Sequence, residues 1–218
     1  MCAALLMLSL GAALRPVLLP DNKTTALPVL TETEIGFVGD MATHHEQAVS
    51  MVQRLDPGVD RGVLNLAKQI DQAQRYEIGM MQGWLRLANA MPTNPHPMAW
   101  MSQAVSPSAG MAGMSGHRPP TSPAATPATE DGAMPGMASM QELDQLSAAR
   151  GRDAEVLFLQ LMLRHHLGGI IMAEALLTKV TSGPVREAAS EIAYSQRQES
   201  GLMNGMLTAR AAVPAPFR

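Results

Sequence analysis

Cysteine is almost absent from this sequence, which has a single one, Cys2, among its 218 residues. One cysteine cannot close an internal disulfide, and it cannot build the thiolate cage of a structural metal site. Any sulfur ligand in this protein must therefore be a methionine thioether.

Aromatic residues and an excess of either charge are scarce as well. Aromatics make up 3% of the sequence, and the formal net charge is only -3. The charges are mixed along the chain, with no basic stripe for nucleic acid and no acidic block that would collect cations by bulk charge. We therefore expect no nucleic-acid partner.

Methionine, by contrast, is abundant, with 18 residues in the chain, well above ordinary usage. One explanation is packing, because the flexible methionine side chain fills irregular cores. The hydrophobic content of 46% is enough for one substantial core. Length and composition together predict one compact domain with a loose segment.

Composition divides the chain into five segments. Residues 1–30 begin with the apolar run MCAALLMLSLGAAL, which resembles a secretory signal or a short membrane anchor and predicts an extracytoplasmic protein, periplasmic, secreted or membrane-tethered. Residues 91–138 are rich in Pro, Gly, Ser, Ala and Met, and predict a crossover linker without regular structure. The segments 31–90 and 139–210 lack strand-like alternation and predict helices, and residues 211–218 form a tail.

Start and stop signals predict two long helices on each side of the linker. Thr31 and Glu34 have the spacing of a capping box, and the Pro-Gly pair in LDPGVD ends the helix that they begin. Ser139 and Glu142 have the same spacing and predict a short helical lead-in. The long helices are expected to begin near residues 31, 60, 153 and 184. Short connections between them predict two antiparallel hairpins.

The two hairpin segments resemble each other in sequence. FVGDMATHHEQAVSMV from Phe37 aligns without gaps on FLQLMLRHHLGGIIMA from Phe158, and IDQAQRYEIGMM from Ile70 aligns on IAYSQRQESGLM from Ile192. This repeat predicts an internal duplication. Two hairpins with one apolar stripe each would bury those stripes against each other, so we predict an all-α four-helix bundle.

Two adjacent histidines lie at the edges of the apolar stripe in each copy. On a helical wheel Met41 marks the centre of the stripe, His44 and His45 fall on either side of it, and Met51 lies beside the His44 edge. These four side chains form a candidate metal site. The second copy repeats the arrangement with Met162, His165, His166 and Met172.

The second helix of each hairpin places a carboxylate on its apolar stripe. Glu77 lies on the same face as Gln74 and Met81. Burying a carboxylate alone is costly, so Glu77 needs a hydrogen-bond partner, a cation or a proton. The second copy repeats the problem with Gln196, Glu199 and Met203.

Two interpretations of these polar residues stay open. A His–Glu pair between helices would satisfy both groups without a metal, and methionines at helical spacing ordinarily pack in a core. The linker, however, contains GMAGMSGH and GAMPGMASM, where methionines have no evident core to fill. Thioethers select Cu(I), imidazole binds both copper oxidation states, and methionine stays usable in an oxidising compartment. The linker methionines therefore favour copper.

The motifs DMATHHEQAVSM and LMLRHHLGGIIMA, with MPGMASMQELDQL before the second, resemble the bacterial domain-of-unknown-function family 305 over roughly residues 32–207. The resemblance implies a ferritin-like four-helix bundle, exported or tethered to the membrane, with copper binding in some members. Arg164, the residue before the second histidine pair, departs from the family pattern. A cation at this position would oppose ion binding if it pointed inward. By motif, the resemblance carries over Met41, His44, His45, Met51, Met162, His165, His166 and Met172 as metal ligands.

We therefore predict a non-enzymatic copper protein of the cell envelope, which binds Cu(I) or Cu(II) for copper tolerance or trafficking and buffers the ion or passes it to a transfer partner. No catalytic residue is predicted. One alternative is a metal-free helical interaction or stress protein. Another is a ferritin-like di-metal oxidoreductase, for which the Glu-x-x-His motif is missing from the histidine helices. The predicted ligand set also includes Glu77, Glu199, Met81 and Met203.

Overall fold

A computed structural model of the chain describes residues 29–102 and 134–217. The apolar run at the N-terminus, Cys2 and the middle of the crossover lie outside these residues. The described residues form six helices and no strand, which confirms the all-α prediction. The division into five segments stays a prediction. The helices are α1 (Glu32–Arg54), α2 (Arg61–Leu87), α3 (Ala99–Ser102), α4 (Met140–Ala148), α5 (Gly151–Leu177) and α6 (Pro184–Ala209).

Two helices begin at the capping boxes that the sequence predicts. At the start of α1, the Thr31 hydroxyl accepts from the Glu34 backbone N–H at 3.3 Å, and the Glu34 carboxylate accepts from the Thr31 backbone N–H at 2.8 Å. Ser139 and Glu142 make the same reciprocal pair at the start of α4. Each pair satisfies backbone donors that the helix leaves free.

The four long helices form a bundle of two hairpins, α1 with α2 and α5 with α6. The hairpins meet most extensively where α1 packs against α5. Two buried apolar clusters occupy opposite ends of the bundle. Cluster A holds the end of α1, the start of α2, the start of α5 and the end of α6, and cluster B holds the opposite halves of these helices. Since the end of α1 meets the start of α5, these two helices run antiparallel.

The first end of the crossover packs on α1. Trp100 of α3 is 1% exposed and packs edge-on against Phe37, with ring centroids 5.4 Å apart. Its indole N–H donates to the Asp40 carboxylate at 2.8 Å. Gly36 makes this approach feasible, because a Cβ there would lie 3.0 Å from Trp100. The prediction of no regular structure in residues 91–138 is therefore wrong at α3.

The second end of the crossover, residues 134–139, lies across α1 and α5, and we call it the strap. The Gln47 amide bonds both backbone groups of Ala138, donating at 2.9 Å and accepting at 2.6 Å. Gly136 has a φ of +78°, a conformation that side chains disfavour. Gly168 gives the strap its room, because a Cβ there would lie 1.9 Å from the Pro135 carbonyl oxygen.

Several crossover methionines pack on the bundle. Met98, Met101 and Met134 are partly buried against cluster B, whereas Met140 is 67% exposed. The expectation that linker methionines have no core to fill is therefore wrong for Met134. The methionines of GMAGMSGH lie outside the described residues.

Among the described helices, α5 is long and apolar enough to cross a membrane, with a mean hydropathy of 1.4 over its most apolar stretch. Inside the bundle, 72% of that stretch is buried. A central core helix has the same composition, so packing accounts for the apolarity of α5.

Candidate metal centre

Four histidines form a layer across the middle of the bundle, between clusters A and B. His44 and His45 come from α1, His165 and His166 come from α5, and all four are 0% exposed. The rings of His44 and His165 stack across the contact between the two helices, with centroids 3.8 Å apart. His45 and His166 lie on the outer sides, 6.4 Å and 6.3 Å from the ring of their chain neighbour. We call these four residues the histidine layer.

The inner pair is anchored by backbone carbonyls. His44 Nε2 donates to the Pro135 carbonyl at 3.1 Å, and His165 Nε2 donates to the His44 carbonyl at 2.8 Å. A carbonyl oxygen only accepts, so both rings carry their proton on Nε2. Burial, with the neighbouring imidazoles, lowers the pKa of His44 to about 3 and lowers the pKa of His165 well below its ordinary value. Both rings are therefore neutral near pH 7, with a lone pair on Nδ1.

The outer pair is anchored by carboxylates from the second helix of each hairpin. His45 Nε2 lies 2.7 Å from Glu77 Oε2, and His166 Nε2 lies 2.7 Å from Glu199 Oε2. The sequence left open whether these histidines face an ion or a glutamate. In the structure each outer histidine bonds its glutamate through Nε2, which leaves Nδ1 for a second role.

All four Nδ1 atoms of the histidine layer are buried and, within the described part of the chain, have no hydrogen-bond partner. An unpaired buried polar atom costs about 1–3 kcal/mol. Histidines that ligate metals usually donate their other ring N–H to a carboxylate or a carbonyl, which fixes the tautomer and the ring orientation. The histidine layer has this arrangement at each ring, so its donor set fits a metal ion.

Methionine side chains lie on both faces of the histidine layer. Six of them, all in the predicted ligand set, are at most 1% exposed. They are Met41, Met81 and Met172 in cluster B, and Met51, Met162 and Met203 in cluster A.

The structure groups the methionines differently from the sequence motifs. Met41 and Met51 are ten residues apart on α1, which separates them by about 15 Å along the helix axis. They lie on opposite faces of the histidine layer, so they cannot share one ion. Met41 lies with methionines of α2 and α5 instead.

No three His, Cys, Asp or Glu side chains of the described ranges come together as a metal-binding group. Glu77 and Glu199 each bond one histidine and lie in separate hairpins. An ion at the histidine layer would therefore need methionine sulfur or an amide oxygen to complete its ligands.

Arg164, the cation beside the second histidine pair, is 2% exposed but has its charge paired. Its guanidinium donates to both Glu142 oxygens, at 2.9 Å and 2.7 Å, and to the Met137 carbonyl at 3.4 Å. This guanidinium holds the pKa of Glu142 at about 2, below its usual range. Arg164 thus attaches α4 and the strap to α5.

Sequence reasoning missed two features around the layer. Asp40 is 1% exposed, and its carboxylate accepts from the Met98 backbone N–H at 2.7 Å and from Trp100. Burial raises the pKa of Asp40, and the bond to Met98 opposes this. On the helical wheel Asp40 lies about 100° from Met41, beyond the edge of the apolar stripe, so periodicity gave no signal for its burial. The Pro135 carbonyl that anchors His44 is a backbone atom, so residue types carried no signal for it.

Together, the all-α bundle and the buried layer of histidines between methionine clusters define a helical protein with a candidate soft-metal centre. The sequence of the chain matches the protein family DUF305, a domain of unknown function, over residues 34–207. The protein belongs to the DUF305 family, which confirms the resemblance seen in the motifs.

Solved structures of the family are similar to this chain. A DUF305 protein of Streptomyces coelicolor, named as a secreted protein, is 32% identical, with 84% of this chain and 96% of that chain covered and a TM-score of 0.68. A DUF305 fragment from Deinococcus radiodurans is 28% identical over 82% and 97% of the two chains, with a TM-score of 0.59.

A third neighbour is CopM, whose structures are of Cu(I)-bound and Cu(II)-bound forms. The Cu(I)-bound form is 21% identical, with 82% of this chain and 98% of that chain covered and a TM-score of 0.52. The Cu(II)-bound form is 19% identical, with coverages of 81% and 96% and the same TM-score. At these identities the likeness shows the shared fold. Among curated proteins, none matches the chain.

Proposed function

We propose that this protein is a non-enzymatic copper-binding protein of the cell envelope, which buffers the ion or passes it to a transfer partner. The observation that carries the proposal is the set of four buried Nδ1 atoms without partners between two groups of methionines. Each ring is held by Nε2, so folding pre-orients the free nitrogens at no further cost in side-chain entropy.

The ligand chemistry favours copper over harder ions. Imidazole binds copper in both oxidation states, and thioether sulfur selects Cu(I). Calcium and magnesium need carboxylate or carbonyl oxygens, and in the described residues the two central glutamates are engaged with histidines. The copper-bound forms of CopM support the choice of metal, and the secreted relative supports a place outside the cytoplasm.

From helix spacing we infer a ligand set for each outer histidine. Met41 precedes His45 by four residues on α1, and Met81 follows Glu77, the partner of His45, by four residues on α2. Side chains four apart lie on the same helix face, so His45, Met41 and Met81 form one candidate site. The corresponding site on α5 and α6 consists of His166, Met162 and Met203. The correspondence of the two sites is what the predicted duplication would produce.

Copper titration of the apo protein tests the proposal. Cu(I) and Cu(II) are added in competition with chelators of known affinity, and stoichiometric binding is expected. The double variant His45→Ala with His166→Ala should weaken binding at least about 10-fold. His96→Ala, which changes an exposed histidine outside the layer, is the matched control and should bind as the unchanged protein does. Binding that is absent, or equal in all three proteins, would refute the proposal.

A metal-free interaction or stress protein is the second candidate, favoured by the 2.7 Å pairs that already satisfy Nε2 of both outer histidines. Thermal unfolding with copper and with chelator separates the two candidates. A ligand bound only by the folded state, at 100 times its Kd, adds about 2.7 kcal/mol to the free energy of unfolding. Equal stability under both conditions would favour the metal-free protein.

A further inference from the structure

Two buried glutamines lie next to the histidine layer. Gln74 of α2 and Gln196 of α6 are each 2% exposed. In both, the amide oxygen and the amide nitrogen are without a partner in the described part of the chain. Burying an uncompensated amide costs about 1–3 kcal/mol. The two positions align in the predicted duplication, so the bundle accepts this cost twice.

The Gln196 amide lies against α5, one turn beyond His166. A Cβ added at Gly169 would lie 2.4 Å from Gln196 Oε1, and Gly169 follows His166 by three residues. Glu199, which bonds His166, follows Gln196 by three residues in turn. The glycine therefore lets the amide reach the backbone of the helix that carries the histidines.

The amide and the thioethers lie on opposite faces of the histidine layer. Met162 precedes His166 by four residues, Met203 follows Glu199 by four residues, and both methionines belong to cluster A. Gln196, by its position on α6 between Glu199 and Ile192, faces the side of cluster B. His166 therefore has a pair of sulfur donors on one side and an oxygen donor on the other.

The second hairpin has a hydroxyl next to the glutamate that bonds its outer histidine. Ser200 is 7% exposed, its hydroxyl is without a partner in the described ranges, and it lies one turn after Gln196. The aligned residue of α2 is the apolar Ile78, and Gly169 aligns on Ala48 of α1. The surroundings of His166 are thus richer in oxygen and less crowded by Cβ atoms than those of His45.

Oxygen and sulfur donors discriminate between the two copper oxidation states. Thioether sulfur is soft and favours Cu(I), whereas Cu(II) prefers nitrogen and oxygen ligands. We propose that Gln196 and Gln74 supply the amide oxygens with which the histidine layer accepts Cu(II), and that Gln196, with Ser200 beside it, makes the second hairpin the stronger Cu(II) site. This inference rests on the proposed copper function and adds which residues select the oxidation state.

Gln196→Met tests the inference in the full-length protein. The change nearly conserves volume, removes the two unpaired amide atoms and replaces an oxygen donor by sulfur, so folding should not suffer. Affinities for Cu(II) and Cu(I) are measured separately by chelator competition, with the electron paramagnetic resonance spectrum of the Cu(II) form. We expect Cu(II) affinity to fall about 10-fold or more, with Cu(I) affinity unchanged or higher. Gln74→Met should also lower the Cu(II) affinity, but by a smaller factor.

The control is Gln198→Met, which makes the same substitution at an exposed position two residues away. It should leave both affinities and the spectrum unchanged. Equal Cu(II) affinity in Gln196→Met and the unchanged protein would overturn the inference while leaving the copper function intact. Parallel losses for both ions would also overturn it, since they would mark a structural role. A protein that binds neither ion before substitution would overturn the proposed function itself.

Discussion

The two hairpins are alike in their outer His–Glu pairs and differ along the faces where the crossover packs. In the interior, His45 with Glu77 and His166 with Glu199 have the same separation of 2.7 Å, with both histidines 0% exposed and the glutamates 17% and 19% exposed. At these central positions the aligned residues make the same contacts. The candidate site is therefore present in both halves of the bundle.

The outer faces differ, because one crossover joins the hairpins and its two ends must pack at unequal places. The first end reaches α1 through a buried carboxylate. The strap is held by an amide of α1, a guanidinium of α5 and a glycine contact on α5. Each of these residues aligns with one of different chemistry. The aligned pairs are Asp40 with Leu161, Thr43 with Arg164 and Gln47 with Gly168.

The strap contact at Gly168 should be the most sensitive of these differences. A Cβ there would lie 1.9 Å from the Pro135 oxygen, so Gly168→Ala must displace the carbonyl that anchors His44. We expect a loss of about 3 kcal/mol in the free energy of unfolding by denaturant, at the upper end for overpacking. Gly201→Ala is the control, because a Cβ there meets nothing within 4 Å, and it should stabilise by up to about 1 kcal/mol. Equal effects of the two variants would contradict the close contact.

The carboxylate of Asp40 should come next in effect. Asp40→Leu introduces the residue of the aligned position on α5, but it leaves the Trp100 indole and the Met98 N–H without an acceptor. We expect the free energy of unfolding by denaturant to fall by about 2 kcal/mol. Tryptophan fluorescence should change as well, because the segment around Trp100 loosens. Asp40→Asn keeps an acceptor and should cost less. If Asp40→Leu unfolds at the same denaturant concentration as the unchanged protein, the bonds from Met98 and Trp100 to Asp40 contribute nothing to stability.

The likeness of the two outer His–Glu pairs predicts equal effects in the two hairpins. Glu77→Leu and Glu199→Leu each remove the acceptor of one buried histidine, and each should cost about 1–2 kcal/mol in denaturant unfolding. The exposed Glu191→Leu on α6 should stay within about 0.5 kcal/mol of the unchanged protein. A difference above about 1 kcal/mol between Glu77→Leu and Glu199→Leu would break the comparison, since the two pairs would then not be energetically equivalent.

Local signals in the sequence were sufficient for the helices and for the residues of the layer. A capping box depends on side chains three residues apart, so Thr31 and Ser139 could be read directly as helix starts. The repeated His-His pairs and the aligned Glu77 and Glu199 fall on helix faces by simple periodicity. These features involve one helix, or one short hairpin, at a time.

The remaining features depend on packing between distant segments. The grouping of Met41 with Met172 follows from the antiparallel contact of α1 and α5, which a helical wheel does not contain. Which ring nitrogen of His44 is free depends on the Pro135 carbonyl, a backbone atom 91 residues away in the chain. By composition the crossover has no regular structure, yet Trp100 packs closely on α1 at Gly36, where a Cβ would lie 3.0 Å from it.

The smallest predicted effect concerns the ion pair of Arg164 with Glu142. Thr43, which aligns with Arg164 on α1, cannot form such a pair. The folded-state pKa of Glu142 is about 2, against an ordinary 4.5, so the folded state favours the ionised form. This stabilisation is present above pH 4.5 and is lost as the pH falls through 2. Because Glu142 is 18% exposed, we expect Glu142→Gln to cost only about 1 kcal/mol near pH 7.

Denaturant unfolding at several pH values tests this prediction. The difference in the free energy of unfolding between Glu142→Gln and the unchanged protein should shrink as the pH falls from 4.5 toward 2. Glu191→Gln, an exposed glutamate of α6, should show no such convergence. A difference that persists at pH 2 would mean that Glu142 acts through packing or its capping bonds to Ser139 rather than through its charge. If the two free energies of unfolding converge, the charge of Glu142 stabilises the fold. The ion pair with Arg164, which has no counterpart at Thr43 of α1, then helps to fix the strap on one side of the histidine layer.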